Sequence, residues 1–219
     1  MKRLAPFLII ALVALLTLCI GRILLHANAR AVAKQASASP ARGGAPMKFA
    51  HVRGPEKARV TLEEFGDFQC PACAETSAVI RSLEEMHRNQ LRVVFWEFPL
   101  AMHEHGREAA IAAEAAAAQG HFWEMHDLLY RNQRTWARSP NVRAEFEKFA
   151  LALHVDLARF RHDLEDPATA ARVDAARNYG MSRGVRGTPT LFINGEQLGP
   201  PFSPEHLREV INVACEAKT

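Results

Sequence analysis

One α/β domain carrying an all-helical insertion is what the sequence predicts, on three observations. A strand-helix-strand unit opens the folded part, with two cysteines three apart at its first strand-to-helix junction. Residues 103–183 then read as helices with no strand candidate among them, and strand character returns only near the C-terminus, in a hairpin followed by a closing helix.

The first strand is "RVTLEEF" from Arg59, where alternation puts Val60, Leu62 and Glu64 on one face and Thr61, Glu63 and Phe65 on the other. After Cys70 the spacing of Val79, Leu83 and Met86 is that of a helix packed by one face, and Pro71 suits its first turn, where an N–H would lack a partner. "LRVVFWEF", β-branched and aromatic, gives a second strand ended by Pro99. The short connection implies parallel strands and a right-handed crossover. "REAAIAAEAAAAQG" is an Ala-rich helix stopping at Gly120, "HFWEMHDLLYRNQ" restarts the pattern, and further segments run through Phe146, Phe149 and Leu153 and from Ala168 to Met181. These helices are expected to form a lid. "TPTLFING" is a strand whose Asn194-Gly195 turn leads to a short partner, "EQL". "SPEHLREVINVACEAK" closes the chain as a helix with Ser203 as N-cap and Pro204 in its first position.

Ahead of this domain, Lys2 and Arg3 precede an uncharged, mostly apolar run from Leu4 to Gly21. Residues 1–26 read as a signal anchor or a cleaved signal peptide, and in either case the domain is exported. The run would reach about 27 Å as a helix against a bilayer core of about 30 Å. Its length favours an anchor, whereas "ANA" at 27–29 has the small-x-small form of a cleavage site. Cys19 does not read as a lipidation site, because Leu18 stands where a small residue is needed. Residues 27–46, rich in Ala, Ser, Gly and Pro, form a flexible tether, and 47–219 form the domain.

Charge excludes one class of partner. The first 46 residues hold six of the 27 basic residues and no acid, leaving 21 basic against 24 acidic residues in the other 173. The domain is mildly acidic, so the overall +3 is no nucleic-acid footprint.

The pair "CPAC" could hold a metal, staple the fold or exchange disulfides. Structural zinc needs four ligands, and the other cysteines, Cys19 and Cys215, lie in the apolar run and alone in the last helix. Neither His103 with His105 nor His121 with His126 supplies a convincing second pair, so no metal and no cofactor is expected. A bridge over four residues constrains the unfolded chain little, and a domain of this size has core enough without it. Exchange explains the placement: a helix N-terminus favours a thiolate at Cys70, while Cys73 lies one turn inside. Cys215, His103, His105, Phe122, Trp123 and Met125 read as packing or capping residues.

"VTLEEFGDFQCPAC", "EFPLAMHEHGREAA", "QGHFWEMHDLLYRNQ" and "GVRGTPTLFINGEQLG" together resemble the DsbA-like thioredoxin-fold oxidoreductases, in the branch of short, often membrane-tethered extracytoplasmic proteins. The resemblance covers about 60–219, and CxxC followed about 115 residues later by "GTPT" is its specific part. It implies a thioredoxin fold with a helical insertion and a redox-active Cys70–Cys73 disulfide. It also implies a cis Thr188-Pro189 bond that faces this disulfide and offers substrate a strand edge. Glu64 matches a buried acid beneath the disulfide, able to exchange a proton with Cys73. Implied partners are exported proteins with thiols or disulfides and a membrane redox protein. The expected activity is disulfide formation. A reductase or isomerase, or a peptide-binding holdase with an incidental CxxC, is the alternative.

Overall fold

The computed structural model describes residues 50–199 and 203–216, with Leu16, Ile20 and Arg22 as isolated positions before them. The signal segment and the tether otherwise lie outside the described residues. No helix among the described residues is long and apolar enough to cross a membrane.

The elements run β1 (His51–Arg53), β2 (Val60–Gly66), α1 (Pro71–Met86), β3 (Leu91–Glu97), α2 (Gly106–Ala117), α3 (Phe122–Arg131), α4 (Gln133–Trp136), α5 (Val142–Ala152), α6 (Leu157–Glu165), α7 (Pro167–Ser182), β4 (Thr190–Ile193), β5 (Glu196–Gln197) and α8 (Pro204–Glu216). The sheet order is β1-β3-β2-β4-β5. β2 and β3 are parallel in the register Val60↔Leu91 to Gly66↔Glu97, and β4 lies antiparallel on the other side of β2, pairing Glu64 with Leu191. This is the thioredoxin fold with a helical insertion that the sequence implies.

Alternation along β2 and β3 sorts the core into two layers. Val60, Leu62, Leu91 and Val93 meet Val79, Ile80 and Leu83 of α1 and Leu207, Val210 and Ile211 of α8. On the other face Phe65, Val94, Trp96 and Phe192 meet α7 through Ala176 and Tyr179. The insertion is therefore more than a lid, because its last helix serves as the second layer of the sheet. In α2, six alanines from Ala109 to Ala116 are fully buried, and such small side chains let neighbouring helices approach closely.

Local signals set the ends as expected. Gly120 takes φ +84°, and the next residue's N–H, of His121, reaches back 3.0 Å to Ala116 O, stopping α2. Asn194 and Gly195 have φ 50° and 87°, matching the two positive values that a tight hairpin turn demands. Ser203 Oγ accepts from His206 N at 3.1 Å. β1 is the strand that sequence reading missed. Its three residues are too few to show alternation, and pairing with β3 together with a bond from Trp123 Nε1 to Val52 O holds it in place.

Candidate active site

β2 delivers the chain to the site through Gly66, where a Cβ would stand 2.5 Å from the Phe95 ring. Asp67 follows, 1% exposed, with three partners on its carboxylate. Its Oδ1 accepts from Gln69 N at 2.8 Å, and its Oδ2 from Leu100 N at 2.8 Å and the His103 ring at 2.7 Å. A buried carboxylate needs such partners, and these lock the segment before the cysteines onto the loop after β3. His103 thus braces Asp67, and His105 occupies the N-cap position of α2.

Cys70 is the N-cap of α1 in extended geometry (φ −73°, ψ 120°), with Pro71 in the first turn. It is 7% exposed and Cys73 not at all. Across the gap, Cys70 Sγ lies 3.4 Å from Thr188 O, on the cis Thr188-Pro189 peptide that leads into β4. Four sequence-predicted residues, Cys70, Cys73, Thr188 and Pro189, therefore meet at one end of the sheet. Glu64 joins them from below, 2% exposed, on the face that alternation assigned.

The two sulfurs are electrostatically unlike. A hydrogen bond from the Cys73 thiol lowers the Cys70 pKa to about 5 in spite of burial, helped by the backbone N–H groups of Cys73 and Ala72 and the side chain of Thr188. The Thr188 hydroxyl is buried with no other partner and is the side-chain donor available to the thiolate. Burial first, and the bond given to Cys70 second, push Cys73 well above an ordinary thiol. Burial, reinforced by the charge of Cys70, raises Glu64 to about 8, and its Oε1 has no protein partner.

Cys215 is buried in the α8 layer, and burial raises it to about 11, so it packs as expected. Sequence reading missed a second polar cluster. His51, Glu97 and Glu114 bring ligand-type atoms within 4.8 Å of one another. Arg172 Nε lies 2.6 Å from Glu114, and although burial opposes its charge, bonds to Glu114 and Glu97 raise His51 to about 9. His51 and Arg172 thus both bond Glu114, while burial raises the pKa of the Glu97 carboxyl beside them. Asp67 and Gln133 were missed as well, because each is a single polar residue that reaches to segments far along the chain.

A family model described as thioredoxin matches residues 48–213. The Na(+)/H(+) antiporter NhaA 3 of Salinispora tropica is 39% identical over 162 residues, which is 74% of this chain and 24% of that protein. The chain spans about a quarter of the length of the curated relatives it matches. Among solved structures, a thioredoxin-like oxidoreductase from Silicibacter pomeroyi DSS-3 has a TM-score of 0.63 at 25% identity, covering 78% of this chain and 94% of that one. Oxidised BdbD from Bacillus subtilis has 0.68 at 20% identity, covering 78% and 95%, a likeness of fold. With its cysteine pair at the head of α1 facing a cis-proline loop, and with the family match running through the whole described domain, the chain belongs to the thioredoxin family.

Proposed function

We propose that the protein is an oxidant that forms disulfides in exported proteins outside the cytoplasm. The observation that carries this reading is the opposed ionisation of the two sulfurs, with Cys70 near 5 and Cys73 well above an ordinary thiol. A stabilised thiolate favours the reduced pair, which makes the disulfide a ready acceptor of electrons.

In the reaction a substrate thiolate attacks Sγ of Cys70, the Cys70–Cys73 bond breaks, and Cys73 departs with the electron pair. Glu64, protonated at neutral pH, is placed to give the departing sulfur its proton. The second substrate thiolate then attacks the substrate sulfur of the mixed disulfide and Cys70 leaves as a stable thiolate. The substrate gains a disulfide, and two electrons rest on Cys70 and Cys73. A membrane redox protein, quinone-linked by family analogy, returns the pair to the disulfide. An extended substrate finds an edge for pairing at Thr188, where Pro189 contributes no N–H.

The couple should have a potential of about −130 to −200 mV, between the strongest oxidants and reducing thioredoxins. Pro71 withholds a donor and Ala72 adds no charge, which keeps the value short of the extreme. Equilibration with glutathione measures it, and a potential below about −240 mV would transfer the function to a reductase.

The uncharged run from Leu4 to Gly21 behind Lys2 and Arg3 supports export and retention at the membrane. Relatives that carry a like segment within proteins named as antiporters support work beside a membrane. Fractionation should find the protein in the membrane pellet with its domain open to protease from outside. A soluble form beginning near Arg30 would replace the anchor with a cleaved signal, and a protected domain would overturn export.

A further inference from the structure

Gln133 opens the four-residue α4 and is 6% exposed. Its Nε2 donates to Phe68 O and to Cys70 O, each at 2.8 Å. A carboxamide nitrogen has two protons, so both are committed to the segment that ends at the active-site cysteine. The Cys70 carbonyl also accepts from Ala74 N at 3.2 Å, which fixes that peptide from two directions.

This arrangement bears on the sulfur. With the Phe68 and Cys70 carbonyls turned toward the helical insertion, the N–H groups of Ala72 and Cys73 are left to face Cys70 Sγ. The positive end of the carboxamide dipole also stands against the backbone of Cys70, where it offsets the Phe68 and Cys70 carbonyl oxygens. The helical insertion thereby reaches the redox centre through one side chain.

We propose that Gln133 is a positioning residue that sets the redox poise of Cys70, by holding the Phe68 and Cys70 carbonyls away from the sulfur and its backbone donors toward it. This rests on Cys70 being the reactive thiol. Gln133 exchanges no proton or electron and acts only through the backbone it holds.

Two substitutions of the full chain test it. Gln133→Met keeps length and volume and removes both donors, whereas Gln133→Lys supplies charged donors in the same place. The readouts are the thiolate absorbance of the reduced protein against pH and the equilibrium constant with glutathione. Gln133→Met should lower the acid constant of Cys70 roughly three- to tenfold, the worth of about one hydrogen bond, and weaken the oxidant in the same direction. Gln133→Lys should shift both quantities the opposite way. Wild-type titrations in the two variants, even with lowered melting temperatures, would reduce Gln133 to packing and overturn the proposal. Should Gln133→Met not fold, Gln133→Lys decides alone, and an unchanged acid constant overturns it. Cys70→Ala is the separate control: a low transition surviving there would show that Cys70 is not the reactive thiol, a failure of the underlying reading and not of the Gln133 geometry.

Discussion

Cys73→Ala accumulates covalent adducts with substrate proteins that dithiothreitol dissolves, and Cys70→Ala accumulates none. Turnover is lost in both, since disulfide exchange with a dithiol uses both sulfurs. Ionisation alone does not decide which sulfur meets substrate. At neutral pH the lowered pKa keeps Cys70 ionised while burial keeps Cys73 protonated, but falling basicity also weakens a thiolate as a nucleophile. Access and leaving-group strength then settle the matter. Cys70 presents its sulfur opposite Thr188, while Cys73 is wholly buried in the core cluster that also holds Phe95 and the alanines of α2. The low pKa of Cys70 makes it the better leaving group when the second substrate thiol displaces it; in Cys73→Ala the accessible Cys70 thiolate attacks a substrate disulfide, expels one substrate sulfur as a thiolate, and keeps the other because no internal thiol remains to displace it. Gel analysis of the two variants under non-reducing conditions checks this, and adducts on Cys70→Ala alone would reverse the assignment.

Legibility in the sequence tracked the range of the interactions. β2, α1 and β3 were readable because alternation, a proline at a helix start and a β-branched run are signals within a few residues of one another. The Asn194-Gly195 turn and the Ser203 cap are of the same kind. Glu64 was assigned its face by alternation and its place beneath the disulfide by the resemblance, since one step of register would have turned Glu63 inward instead. What stayed hidden depends on partners distant in the chain. Asp67 reaches Leu100 and His103, more than thirty residues on, and Gln133 reaches 63 residues back to Cys70. The pairing of His51 with Glu114 joins residues of equal separation, and none of these positions carries a local pattern. α7 read correctly as a helix, but only the packing of Tyr179 on Phe65 and Trp96 shows that it covers the sheet.

Stability of the oxidised protein should fall as pH rises from about 4.5 toward 8, and Glu64→Gln should remove most of that fall. Glu64 has a folded-state pKa near 8 because burial penalises its charge, against 4.5 for the free side chain. Between these values the folded protein holds a proton that the unfolded chain has released, so each step up in pH favours unfolding. The stabilisation is complete below about pH 4.5 and gone once pH passes the folded value. For a fully buried carboxyl the shift corresponds to an upper bound on the order of 4–5 kcal/mol. The oxidised form is the right one to use, because a reduced Cys70, with its pKa lowered, contributes a slope of opposite sign between about 5 and 9. The disulfide also removes the Cys70 charge that adds to the Glu64 shift, so the measured fall should lie below the bound. Glutamine keeps the shape without a group that ionises, and urea unfolding of the variant across pH 4 to 9 should give a flatter stability curve that lies above wild type at the alkaline end. The same substitution removes the proton donor to Cys73, slowing the first exchange step on the order of 10²-fold, the lower range for a positioned acid. A variant with the wild-type pH slope and the wild-type rate would show that Glu64 neither holds a proton in the folded state nor passes one to Cys73.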